Sequence, residues 1–557
     1  MTNQYNKPLT IRNILYFGFV KLFVFALLFN ACSSRQNADI LLTNVQLIGA
    51  DGAIEGDCIA ISGDTISATG HFREVKKHWK AAQIIDCQGA TVLPGLIDAH
   101  AHFYGLALNM TSADLRGTSS PEEVVERLKK FYAENPGQWL TGRGWDQNLW
   151  PDGQMPLPAY LDTAFPNIPV YLTRIDGHAL WINQAAARLH GITGNEQVTG
   201  GKLEKRDGRF TGVLVDEAMK LAPVPKPSMD QLLPYLQKAE QQLFEAGVTS
   251  LTDAGLPWEV IDGFRQFYRR GLLRIGLNAL AADDDKTFEN LLTYGPISEG
   301  EYSVTGMKFY SDGALGSYGA CLLKPYTDRP DQYGLLLRDP EYFLTRFDKL
   351  RSYGLQVATH AIGDSANRLI LKIYDQLLKG YEDQDLRWRV EHCQVVHPED
   401  LAYFKNPNII PSIQPTHATS DMMWAPRRLG ERLKTAYAYR SLLETSGMVA
   451  LGTDFPVENI SPVFTFYSAT FRKNPQREPA EGFLIDQAIS RQHAIKGMTY
   501  WAAYSMFQEH KKGDLKIGLK ADLTVLNKNW LTCKADEILD SKVIMTIKNG
   551  KIVHKSK

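Results

Sequence analysis

Between residues 91 and 454 the chain repeats one unit, a short apolar run followed by an amphipathic stretch, and this alternation restricts the fold more than any other feature. Such runs read as parallel strands separated by helices, because a strand that is apolar on both faces needs helices to cover it. Eight strands are predicted, at 91–102, 247–253, 273–279, 306–312, 356–360, 387–392, 409–415 and 448–454. Eight successive βα units close into a barrel, so the expected class is α/β with a (β/α)8 TIM-like barrel over 91–511. The first and second strands are separated by about 130 residues more than a connection needs. That excess predicts a subdomain inserted at about 110–240 over the barrel mouth.

The two ends have a different texture. Residues 38–90 and 512–557 carry short β-like runs, the last bent at Asn549-Gly550 as in a tight hairpin, and they predict one small β-sandwich built from both termini. Residues 1–37 do not read as part of the fold. Lys7, Arg12 and Lys21 precede an apolar run at 22–29, and Asn30-Ala31-Cys32-Ser33-Ser34 follows it, the layout of a secretory signal with cleavage before Cys32. Lys21 shortens the run below the roughly 20 residues of a membrane span. A cysteine at the cut resembles a bacterial lipoprotein signal, in which the thiol takes up diacylglycerol. The expectation is an exported lipoprotein, periplasmic or membrane-anchored outside the cytoplasm, with Cys32 as the lipidation site and residues 33–37 as tether. Lys and Arg total 61 against 62 Asp and Glu, a balance that offers no electrostatic footprint for nucleic acid.

A barrel of this kind does its chemistry at the carboxyl ends of the strands. His100 and His102 stand at i and i+2 on the first strand, so both point the same way and can hold one metal ion. His360 ends the fifth strand, His392 the sixth and Asp454 the eighth. Four histidines and an aspartate at strand ends point to a metal centre rather than to packing. Lys308 lies within an apolar strand, where a charged ammonium is costly and the neutral amine is favoured. Two outcomes are open for it: reaction with carbon dioxide to give a metal-bridging carbamate, or an ion pair with Asp253 or Asp312. His178 in the insertion, His417 after the seventh strand and Trp145 are candidates for binding substrate. Asp364 is expected to support a metal ligand from behind or to cap a helix.

The ordered motifs resemble the amidohydrolase superfamily, specifically its amidohydrolase-3 group of YtcJ-like proteins and N-substituted formamide deformylases. They are the opening Pro94-Gly95-Leu96-Ile97-Asp98-Ala99-His100-Ala101-His102, then Gly144-Trp145-Asp146, Asp176-Gly177-His178, Gly212-Val213-Leu214, and Lys308 with Asp312-Gly313. His360-Ala361-Ile362-Gly363-Asp364, Gln414-Pro415-Thr416-His417, Gly452-Thr453-Asp454-Phe455-Pro456-Val457 and Gly518-Leu519-Lys520-Ala521-Asp522-Leu523 complete the series. The resemblance runs from about residue 38 to the C-terminus. It implies two divalent metal ions, zinc being the commonest: His100, His102 and Asp454 at the more buried one, His360 and His392 at the more exposed one, and carboxylated Lys308 as the bridge. It also implies hydrolysis of a C–N bond, of amide or N-formyl/N-acyl type, by a metal-bound hydroxide, with Asp454 as the catalytic proton acceptor. The partner is then a small-molecule amide, and a homodimer is common in such hydrolases. A mononuclear deaminase of the same superfamily is the alternative, although it usually carries a glutamate soon after the fifth-strand histidine, where this chain has Gly363-Asp364. A non-catalytic binding protein would be expected to lack a ligand, and none is missing.

Overall fold

The computed structural model describes residues 35–175, 177–198 and 201–556. The signal segment and Cys32 lie outside the described residues; among those described, no helix is long and apolar enough to cross a membrane. The centre is a parallel sheet of eight strands in chain order: β1 (Leu96–Ala101), β2 (Val248–Leu256), β3 (Gly276–Ala282), β4 (Tyr302–Tyr310), β5 (Gln356–Ala361), β6 (Trp388–His392), β7 (Ile409–Ile413) and β8 (Ala450–Leu451). Two backbone hydrogen bonds bring its edges together, Asp454 N–H to His100 O and His102 N–H to Phe455 O, each 2.8 Å. The result is an α/β barrel of TIM-like form. Strands β1, β6 and β7 are buried at every position. That is the pattern of strands covered on the outside by helices and filled on the inside by side chains.

The predicted first strand divides. Residues up to Pro94 belong to a long strand, Trp79–Pro94, of a separate terminal sheet, and only Leu96–Ala101 enters the barrel. Gly95 marks the change because β2 crosses close beside it: a Cβ there would stand 2.3 Å from Thr249 Oγ1. The third strand begins and ends three residues later than the sequence suggested, at Gly276–Ala282, and the fourth begins four residues earlier, at Tyr302.

The two chain ends meet in one hydrogen-bonded sheet of eight strands, where two stacked sheets were expected. Leu523–Leu526 from the C-terminal end pairs antiparallel with the end of Trp79–Pro94, which itself pairs in parallel with Gln36–Gly49. A buried charge cluster fastens this sheet to the foot of the barrel. Glu301, just before β4, accepts from Lys512 Nζ at 3.0 Å, from Lys548 Nζ at 2.6 Å and from Lys520. Lys548 also donates to Asp522 at 2.7 Å. Burial works against ionising Glu301, but Lys512, Lys548 and Lys520 overcome it and hold the carboxyl far below its ordinary value of 4.5.

The inserted segment forms its own six-stranded sheet, in the order Gly201–Arg206, Arg209–Asp216, Ala179–Ile182, Val170–Arg174, Leu140–Trp145, Ala113–Asp114. It closes by Leu221, earlier than 240, because the helix Met229–Glu245 already buries Leu232, Leu236, Leu243 and Phe244 in the barrel's core.

Replacing Glu301 by Ala leaves Lys512 and Lys548 buried with only Asp522 to balance them. A loss of roughly 3–5 kcal/mol in unfolding free energy is expected, read from urea denaturation at pH 7. Because the folded carboxyl is depressed, its contribution is complete above the unfolded value and fades as pH falls below about 4.5. The gap between wild type and Glu301→Ala should therefore narrow in acid.

Candidate metal centre

The imidazole of His100 is completely buried and its two nitrogens face different neighbours. Nδ1 lies 2.5 Å from Glu391 Oε2. Glu391 is held in turn by Arg389, whose Nε donates to Oε1 at 2.7 Å and whose Nη2 donates to Oε2 at 3.1 Å, to Ala99 O at 2.6 Å and to Ser412 Oγ at 2.9 Å. Burial opposes the charge on Glu391, but Arg389 and His100 keep its carboxyl ionised. An ionised carboxylate can only accept, so His100 carries its proton on Nδ1 and presents the Nε2 lone pair to the barrel mouth. Burial, then the nearby Lys308, pushes His100 down to about 4, so it stays neutral at pH 7.

Around that lone pair stand Lys308 Nζ, 3.4 Å away, and the carboxylate of Asp454. Asp454 Oδ1 stands 3.5 Å from His100 Nε2 and 2.9 Å from His102 Nε2, while Asp454 Oδ2 is 3.5 Å from His417 Nε2. His392 closes the group, its ring 5.0 Å from His100, 4.5 Å from His360 and 5.7 Å from His417. One ligand atom each of His100, His392 and Asp454 fall within 4.8 Å of one another. The buried nitrogens His360 Nε2, His392 Nδ1 and His417 Nε2 have no hydrogen-bond partner among the described residues. Burial, followed by Lys308, holds His360 down to about 3, and burial holds His392 well below its ordinary value. Neutral imidazoles with unused nitrogens, converging on an ionised carboxylate, fit a cation better than they fit one another.

Backbone geometry aims these groups. His392 has φ +75° and Asp454 φ +63°, both in the left-handed region that non-glycine residues rarely occupy. Asp454 is brought to His100 by the strand seam: Asp98 accepts Thr453 N–H at 3.0 Å, Thr453 Oγ1–H at 2.7 Å and His100 N–H at 3.1 Å. Gly452 permits the approach, since a Cβ there would lie 2.5 Å from His100 N. Lys308 is buried with its Nζ 3.4 Å from His100 Nε2. It pairs with neither acid considered for it. Asp253 accepts Tyr104 N–H at 2.8 Å, and Asp312 accepts the amides of Cys321, Ile362 and Gly363. Burial lowers Lys308 to about 8.

Not every predicted residue comes to this centre. Trp145 is fully buried inside the insertion, stacked on Trp150 and met edge-on by Trp181, with its Nε1 donating to Leu172 O, so its ring has no face for a substrate. It is a core residue. His178 is on the insertion's surface, its side chain 74% exposed and its Nδ1 2.9 Å from Asp216. Asp364 is the first residue of the helix Asp364–Leu378, with Gly363 at the cap position, and it accepts Leu323 N–H at 2.8 Å. Sequence reasoning missed Arg389, Glu391 and Asp98. The signal was present: Arg389 and Glu391 alternate on a strand buried on both faces, where a charge needs a partner.

A barrel with this array at its strand ends defines a metal-dependent hydrolase of the (β/α)8 type. The sequence profile of the amidohydrolase family matches residues 83–554, and the chain belongs to that family. It is 31% identical to the protein LONG AFTER FAR-RED 3 of Arabidopsis thaliana over 92% of this chain and 91% of that one. It is 29% identical to the putative amidohydrolase YtcJ of Bacillus subtilis (90% and 97%) and 25% identical to the N-substituted formamide deformylase of Arthrobacter pascens (92% and 98%). Among solved structures, an uncharacterized metal-dependent hydrolase from Pyrococcus horikoshii matches with a TM-score of 0.75 at 26% identity, over 89% of this chain and 99% of that one.

If the Asp98–Thr453 contact positions Asp454, Thr453→Val should weaken metal binding by roughly ten- to a hundredfold while leaving the circular dichroism spectrum unchanged. Competition with a chromophoric chelator reads the affinity, and an unaltered affinity would dismiss the contact as incidental.

Proposed function

We propose that the protein hydrolyses a C–N bond in a small amide, of N-formyl or N-acyl type, with zinc as its metal. The observation that carries this reading is the convergence of His100 Nε2, His392 and Asp454 in a buried pocket where imidazole nitrogens lack partners. His100, His102 and Asp454 would hold one ion and His360 and His392 a second, with carboxylated Lys308 between them. A neighbouring relative acting on N-substituted formamides supports the choice of bond. When bound, the metal supplies Lewis acidity toward the substrate carbonyl and makes water a nucleophile near neutral pH.

The protein's own groups then do the rest. Burial works against ionising Asp454, but the contact with His102 outweighs it and holds the carboxyl well below its ordinary value. Asp454 accepts the proton of the attacking water and delivers it to the departing nitrogen. His417, with Gln394 Nε2 3.1 Å from its Nδ1, turns Nε2 toward Asp454 and the reacting centre. In the tautomer in which that amide donates to Nδ1, Nε2–H is a donor for the oxygen on which negative charge develops. Arg389 and Glu391 keep His100 in one tautomer throughout. The deaminase alternative gains nothing from Asp364, which is engaged by Leu323 N–H.

The carboxylation of Lys308 has support in its burial and in the absence of an ion-pair partner among the described residues. Lys308→Ala is expected to lower kcat/KM by at least about a hundredfold, with partial rescue by propionate, which can stand in for the carbamate. Zinc removal by a chelator should abolish hydrolysis of a panel of N-formyl and N-acyl amides, and added zinc should restore it. Metal-replete protein inert toward the whole panel would refute the reading. Export and lipid anchoring are proposed on the sequence of residues 1–37 alone: labelled palmitate should enter the wild-type protein in a bacterial host and not Cys32→Ala.

A further inference from the structure

A single cleft of about 810 Å³ runs from the metal centre to the inserted subdomain. On the barrel side it is bounded by His102, Asp253 and Gly255, and on the other side by Asp114, Arg116 and Arg143. The second wall is built in a particular way. Ala113–Asp114, Leu140–Trp145 and Val170–Arg174 are parallel neighbours, so their carboxyl ends lie together and face the carboxyl ends of the barrel strands across the cleft. Carboxyl ends of parallel strands are where α/β sheets receive ligands.

The charges there are not balanced pair by pair. Asp114 is occupied by Arg116 in a two-point contact, Nε to Oδ1 at 2.9 Å and Nη2 to Oδ2 at 2.7 Å. Arg116 is the first cause of the depressed pKa of Asp114. Arg143 sits level with Asp114 in the strand register, is exposed, and makes no side-chain ion pair or hydrogen bond among the described residues. The other carboxylate of the cleft, Asp253, is buried and satisfied by Tyr104 N–H. Leu106, Met110, Ile175 and Val457 give the space between the two ends an apolar lining.

We infer that Arg143 is a carboxylate subsite, and that the substrates are amides bearing a carboxylate on the side away from the bond that is cut, joined by an apolar body. A guanidinium offers two parallel donors to a carboxylate, and no acid of the described protein competes for them. This rests on the hydrolase reading for the phrase "bond that is cut", but binding tests it separately from catalysis.

4-(2-Formamidoethyl)benzoate and N-formylphenethylamine differ only by the carboxylate, which the first carries at the far end of its apolar body from the formyl group. Zinc-loaded wild-type protein should bind the acid roughly ten- to a hundredfold more tightly in calorimetry. Arg143→Met should erase the difference without altering zinc content, and Arg143→Lys should recover part of it. Equal binding of the two compounds, or a preference that survives in Arg143→Met, overturns the subsite. Hydrolysis is scored independently. Preference without cleavage of either compound counts against the hydrolase reading and leaves the subsite standing; cleavage of both without preference does the reverse.

Discussion

The site depends on how the barrel closes. Its last strand is two residues long, and what joins it to the first is less a strand ladder than one buried carboxylate, Asp98, holding Thr453 through backbone and hydroxyl while also accepting His100 N–H. Burial pushes Asp98 up to about 7, a sign of how far it is withdrawn from water. Because Gly452 has no side chain, the two strands come close enough for Asp454 to fold back between His100 and His102. Loosening this seam would separate ligands that lie some 350 residues apart in the chain, without touching any of them. The proximity of Asp454 to the histidines is a consequence of closure, and closure is set by Asp98, Thr453 and Gly452.

A second buried structure decides what the ligands can do. His100 is useful to a cation only if Nε2 is unprotonated, and the chain of Arg389, Glu391 and His100 settles that by taking the proton at Nδ1. A buried ion pair of this kind is a poor source of stability, because desolvating both charges offsets most of their attraction. Its value here is positional: Arg389 also binds Ala99 O on β1 and Ser412 on β7, so one guanidinium ties the sixth strand to the first and the seventh. Lys308, lacking a comparable partner, is left as a buried amine beside His100.

Much of this could be read from the sequence, and the reasons for the rest are physical. The alternation of apolar runs and amphipathic helices shows the barrel because burial on both faces leaves a continuous apolar mark. Histidines at strand ends show the candidate ligands because period-two geometry puts i and i+2 on one side. The division of the first run at Gly95 was hidden, since the residues on both sides are equally apolar and only the approach of Thr249 separates them. Trp145 was misread for a related reason: a tryptophan in a motif looks the same whether its ring fills a core or faces a ligand, and here Trp150 and Trp181 enclose it. The end of the insertion was misplaced because an amphipathic helix does not announce which core it will cover. Arg389 and Glu391 were legible in principle, as charges on a doubly buried strand, once the question of their partners is asked.

We propose that closure assembles a site for two metal ions joined by Lys308. Anomalous diffraction from zinc-loaded crystals grown with bicarbonate tests it most directly. Two zinc peaks are expected, one among His100, His102 and Asp454 and one beside His360 and His392, with electron density for a carbamate on Lys308 between them. A single peak with an unmodified lysine, or zinc bound elsewhere in the chain, would contradict it.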